Sequence, residues 1–70
     1  MRLSTRNQLS GTITEVTLGS VMATVKVRLD GGDQIVTSSI TRDAAVDLGL
    51  KEGQPATVVI KSTEVAIGVE

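Results

Sequence analysis

Seventy residues and 7.3 kDa allow one small domain, of a size whose core seldom contributes more than about 3–5 kcal/mol without some form of staple. The chain has no cysteine, histidine or aromatic residue, which excludes disulfides and Cys/His metal centres and removes the rings on which single-strand nucleic-acid binders stack bases. Seven basic residues against eight acidic ones leave a net charge of −1, so there is no positive field to attract nucleic acid or anionic lipid.

With the usual staples gone, oligomerisation is the remaining common route to stability, and a homo-oligomer is expected. No apolar run approaches the ~20 residues that span a bilayer, and Met1-Arg2 leads into polar residues instead of a signal-peptide core. The expectation is a soluble, cytoplasmic protein with no membrane partner.

The first element is a string of hydrogen-bond donors. Ser4-Thr5-Arg6-Asn7-Gln8 combines two hydroxyls, a guanidinium and two carboxamides, with no carboxylate. Leu9 to Val16 follows as a strand, with Leu9, Gly11 and Ile13 on one face, and Leu18-Gly19-Ser20 reads as a turn. The clearest pattern comes next: Val21, Ala23, Val25, Val27 and Leu29 alternate with Met22, Thr24, Lys26 and Arg28, which is a half-buried strand. Asp30-Gly31-Gly32-Asp33 is a tight reversal. Gln34 to Ile40 should return antiparallel, carrying the polar run Thr37-Ser38-Ser39.

Between Thr41 and Gly49 the period becomes helical, with Thr41 as N-cap, Asp43 near the positive end and Gly49 as terminator. Leu50 to Pro55 is a loop. Thr57 to Lys61 reads as a buried strand, and Val65 to Val69 as a fifth one after a kink at Ser62-Thr63-Glu64. Five strands with one short helix between the third and fourth predict an all-β, OB-like barrel occupying residues 1–70 as a single domain, although an SH3-like or other small open barrel would give a similar order.

Fold alone does not assign function. OB-type barrels often hold oligonucleotides, but the absence of aromatics and the acidic balance argue against a nucleic-acid partner here. Catalysis also lacks its usual parts. Asp30, Asp33, Asp43, Asp47 and Glu52 all have structural readings, and Ser38-Ser39 has no histidine to act as base. Lys61-Ser62 has Ile60 where the last glycine of a P-loop would stand. The chain is not expected to be an enzyme. Arg6, Asn7 and Lys61-Ser62-Thr63 could equally be solvated residues flanking strands, Thr41 only a cap, and Thr37-Ser38-Ser39 an exposed or subunit-facing edge.

Taken together, Ser4-Thr5-Arg6-Asn7-Gln8-Leu9-Ser10-Gly11, Gly19-Ser20-Val21-Met22-Ala23, Ser39-Ile40-Thr41 and Lys61-Ser62-Thr63-Glu64 resemble a Mop domain, and more narrowly the free-standing molbindins, over essentially the whole chain. Similar domains form the molybdate-sensing part of larger regulators and transport ATPases. The resemblance implies an intracellular protein that binds molybdate or tungstate for storage or homeostasis. It also implies a homo-hexamer, arranged as a trimer of dimers, with oxyanion sites at subunit interfaces.

Carried over by position, those sites would use Ser4, Arg6, Asn7, Thr41, Lys61 and Ser62. Thr5, where alanine is common in the family, and Ser39 are weaker candidates. A second kind of site, on symmetry axes, relies on main-chain groups and takes no side-chain assignment. The metal is held only as its oxyanion, with no other cofactor. Such a donor set suits a tetrahedral dianion that carries no proton, and disfavours phosphate, whose retained proton needs an acceptor. Two other readings remain: a module for another small oxyanion such as sulfate, and a structural oligomerisation domain.

Overall fold

The computed structural model describes residues 1–70. Strand β1 (Asn7–Leu18) is followed by β2 (Met22–Leu29), β3 (Ile35–Thr41), a short helix α1 (Arg42–Asp47) and β4 (Pro55–Ile60), and Ser62–Glu64 close into a single 3₁₀ turn. The strands form one antiparallel sheet in the order β3-β2-β1-β4. The alternation of β2 places Ala23, Val25 and Val27 inward, where Val25 and Val27 pack with Ile13 as the centre of the core. Val16, Ile40, Leu50, Ala56 and Val58 pack around them.

Strand β1 is longer than the pattern Leu9–Val16 suggests, because its period breaks in the middle. The β1–β2 register passes from Ile13↔Val27 to Glu15↔Lys26, leaving Thr14 as an extra, bulged residue. Ile13 and Val16 can therefore both face the core although they are three apart. The bulge is held by the Thr14 hydroxyl, which donates to the Lys26 carbonyl at 3.3 Å. Beside it, Lys26 Nζ and Glu15 Oε2 form a surface ion pair at 3.4 Å.

The helix has both ends satisfied. The Thr41 hydroxyl accepts the Ala44 N–H at 3.1 Å. At the other end Gly49 adopts φ 62°, its N–H donates to Val46 at 3.0 Å, and the Leu50 N–H reaches back to Ala45 at 3.1 Å. That pair of bonds is a Schellman motif, which turns Leu50 back towards the core. Buried Ala45 supplies the small face by which so short a helix rests on the sheet. The loop from 51 to 54 is pinned to the bulge: the Ile13 N–H donates to the Gln54 carbonyl at 2.9 Å, and the Ile13 carbonyl accepts from the Gly53 N–H at 2.8 Å.

The architecture is OB-like but curled into a half-barrel of four strands, not five. Val65–Val69 is exposed, with no ladder partner. Its alternating sequence is suited to a strand, but a strand also needs an edge to pair with, and after the 3₁₀ turn at Ser62–Glu64 it pairs with none, every residue from 61 to 70 being exposed. The sheet consequently retains two unpaired edges, β3 and β4.

Gly11 marks the tightest point of the sheet. A Cβ there would lie 2.5 Å from the Arg28 carbonyl oxygen and 2.7 Å from Val27 Cγ1. Gly11→Ala is expected to cost about 1–3 kcal/mol in urea unfolding, as overpacking against backbone does. A midpoint unchanged from the parent would show that β1 and β2 can separate at this position without strain.

Candidate functional site

The donors of the N-terminal segment and those after β4 meet because β1 and β4 are antiparallel. Asn7 opens β1 opposite Ile60, the last residue of β4, and its side-chain amide donates to the Ile60 carbonyl at 3.2 Å. Lys61 and Ser62 follow directly, and Arg6 and Ser4 precede Asn7, so five of the six expected residues gather at one end of the sheet. The segment is folded locally by Gln8, whose amide donates to the Thr5 carbonyl at 2.8 Å. Thr5 is half-buried, whereas Ser4 and Arg6 are exposed.

Thr41 is not part of this group within one chain. It pairs with Met22 at the start of β2, beside the end of β1 where Leu18 pairs with Ala23. Along the sheet, the length of β1 lies between Asn7 and the Leu18–Ala23 pair beside Thr41. There Thr41 caps α1, and Arg42 ties that corner to the β1–β2 turn through its guanidinium on the Gly19 carbonyl at 2.9 Å and its N–H on Val21 at 2.8 Å. The Thr41 oxygen accepts from Ala44, which leaves the hydroxyl proton free to donate elsewhere.

The free edges of β3 and β4 face each other across an open cleft. Its inner part, about 200 Å³, is apolar and lined chiefly by Ile13, Val25, Ile40, Leu50 and Val58. The outer part, about 600 Å³, has Thr37, Ser38 and Ser39 on one wall and Ile60, Lys61 and Glu64 on the other. Ser39, the weaker candidate, thus shares a cleft with Lys61. Electrostatically the site end is cationic and unpaired, because the chain's only ion pair is Glu15 with Lys26. Arg6 and Lys61 have no carboxylate partner.

Glu64 is the residue that sequence reasoning passed over. A donor-only description fits the six expected side chains, yet a carboxylate lines the same cleft as Lys61. The signal is local: the Glu64 N–H donates to the Lys61 carbonyl at 2.9 Å, and in a 3₁₀ turn residues i and i+3 lie on one side.

A small four-stranded OB-like half-barrel with a capped helix between its last two strands and cationic donors at one end defines the class, and the chain belongs to the TOBE-domain family, whose model matches residues 3–67. The Mop resemblance is carried by relatives of the same length. Molybdenum-pterin-binding protein 3 of Clostridium pasteurianum is 51% identical over 67 residues, covering 96% of this chain and 97% of the relative. A molybdate binding protein from Sporomusa ovata superimposes with a TM-score of 0.90 at 32% identity, over 99% of this chain and 100% of its own. The molybdate-bound structure of ModG, described as a cytoplasmic molybdate-binding protein, gives 0.91 at 44% identity over the whole of this chain, which spans 49% of ModG.

Thr41→Ala removes the only side-chain cap of α1 and is expected to lower stability by about 1 kcal/mol, while Thr41→Asn, which can still accept from Ala44, should stay near the parent. Urea midpoints of the two variants check this. Equal losses in both would assign the effect to packing instead of capping.

Proposed function

We propose that this protein binds molybdate or tungstate as the free oxyanion at interfaces between copies of itself, and so serves their storage or homeostasis in the cytoplasm. The observation that carries the reading is the convergence of Arg6, Asn7, Lys61 and Ser62 from opposite ends of the chain, with both cations lacking a carboxylate partner. Two positive groups offset a dianion, and hydroxyl, amide and backbone N–H donors direct its four oxygens. The protein acts by binding and performs no reaction on its ligand. The names of the full-length relatives support molybdenum as the ligand's metal, and the description of ModG supports the compartment. The pterin in the first relative's name finds no flat aromatic surface to stack on in a chain without Phe, Tyr or Trp, which favours the bare anion.

Ser4, Arg6, Asn7, Lys61 and Ser62 form one side of the proposed site, with Thr5 and Ser39 as outer contacts. Thr41 comes from another copy. Its distance from Asn7 within the chain supports a site shared between subunits, and a homo-hexamer built as a trimer of dimers accommodates such sharing. Glu64 beside Lys61 makes both cations necessary, since its charge opposes the dianion. Discrimination against phosphate requires that the Glu64 carboxylate stay turned away from the anion, because it could otherwise accept the phosphate proton.

Calorimetric titration of molybdate into anion-stripped protein, with oligomer mass recorded on the same sample, tests the reading. Tight binding at more than one anion per subunit is expected, and a stable oligomer giving no heat would leave the donors as subunit contacts only. Arg6→Ala should abolish most binding with the fold intact; an unchanged affinity removes Arg6 from the site. Melting temperature should rise with molybdate and much less with phosphate. A ligand at a hundredfold excess over Kd contributes about 2.7 kcal/mol per site, so equal shifts with both anions would refute the donor-only selection.

A further inference from the structure

Ser4, Thr5 and Arg6 stand before the first strand, so the sheet's own pairing does not order them. No backbone–backbone hydrogen bond involves residues 1–6, and the chain's one ion pair lies at Glu15 and Lys26. A single bond reaches the segment: the Gln8 side-chain amide donates to the Thr5 carbonyl at 2.8 Å. The wall across from it is built differently. Ile60 is laddered to Asn7, and the Lys61 and Ser62 carbonyls accept from the Glu64 and Val65 N–H groups at 2.9 and 3.4 Å. Half of the donor set is therefore fixed by backbone, and the other half by one side chain.

We propose that Gln8 is the positioning residue of the anion site: it anchors residues 4–6 before the ligand arrives and frees the Arg6 main-chain N–H as a further donor. The inference rests on the oxyanion reading above and adds these two groups to it. A carbonyl can only accept, so whatever holds Thr5 must bring a donor, and a carboxamide does so without adding charge. The Thr5–Arg6 peptide is trans, and in a trans plane the C=O and the N–H point in opposite directions. With the carbonyl turned to Gln8, the Arg6 N–H is turned away from it. That N–H has no partner within the protein and Arg6 is exposed, so it can donate to an oxyanion alongside the guanidinium. A segment ordered in advance loses less conformational freedom when the ligand binds, which raises affinity without a new contact.

Gln8→Met, of similar size but with no donor, is the test. In anion-stripped protein the NMR order parameters of the Thr5 and Arg6 amides should drop to below about 0.6 in the variant, while those of Lys61 and Ser62 hold. Equal values in parent and variant overturn the proposal. Molybdate titrated into Gln8→Met should bind about tenfold more weakly, as when an outer partner of a ligand is removed. The melting temperature of the anion-free protein should hardly move, because the bond is exposed. Double-mutant cycles separate positioning from a general weakening. The affinity lost through Ser4→Ala should shrink in the Gln8→Met background, whereas the loss through Ser62→Ala, on the other wall, should not. An affinity equal to the parent's, or simple additivity in both cycles, overturns the proposal. A parent protein that takes up no molybdate strikes the function itself, and the order parameters, which need no anion, then still decide whether Gln8 anchors the segment.

Discussion

The dominant constraint on this molecule is a shortage of apolar volume. With no aromatic residue, the inside of the barrel must be filled by Val, Ile, Leu and Ala, and only Ile13, Ala23, Val25, Val27 and Ala45 are buried hydrophobic residues. Several features act to concentrate what is available. Gly11 lets β1 and β2 approach closely, the bulge at Thr14 recovers Val16 for the core, and the Schellman turn brings Leu50 under the sheet. Even so, Leu9, Val59, Ile35, Val46 and Leu48 remain substantially exposed. Apolar surface of that extent is a reason to assemble.

The anion chemistry and the scarcity of core are two sides of one economy of residues. A domain this small has no interior in which to bury a charged ligand and its counter-charges. It can, however, place short polar side chains at the ends of strands, where backbone pairing already fixes them. Asn7 is the example: its amide is positioned by Ile60, the residue across the ladder, and needs no surrounding packing. Thr41 is another, oriented by the first turn of α1. Residues held in this way remain accessible to a neighbouring subunit, which suits a site completed by contact.

The parts of this architecture that were legible in the sequence are those that depend on one element alone. The alternation of Ala23 to Leu29, the Gly-Gly reversal, and the Thr41 and Gly49 caps all follow from local periodicity or backbone preference, whereas Val21, expected on the same inner face, lies before β2 and is 70% exposed. The bulge at Thr14 was not legible, because a single extra residue interrupts a period-two pattern without leaving a distinctive residue type. The fifth strand misled for a different reason: Val65–Val69 has the composition of a strand, but pairing depends on an edge that composition does not specify. The site shows the same division. Asn7 with Lys61 and Ser62 could be anticipated from two antiparallel strand ends, whereas the remoteness of Thr41 and the presence of Glu64 required the three-dimensional register.

The bulge at Thr14 has a wider consequence for how the chain can change. Because it shifts the phase of β1 by one residue, the strand behaves as two half-strands set in opposite phase, one carrying Asn7 to Ile13 and the other Glu15 to Leu18. The first half carries the end where Asn7 meets Ile60, and the second supports the turn tied to Arg42 and the helix. Substitutions that refit one half leave the inward and outward faces of the other unchanged, so the Asn7 end can vary while the helix-bearing corner keeps its packing.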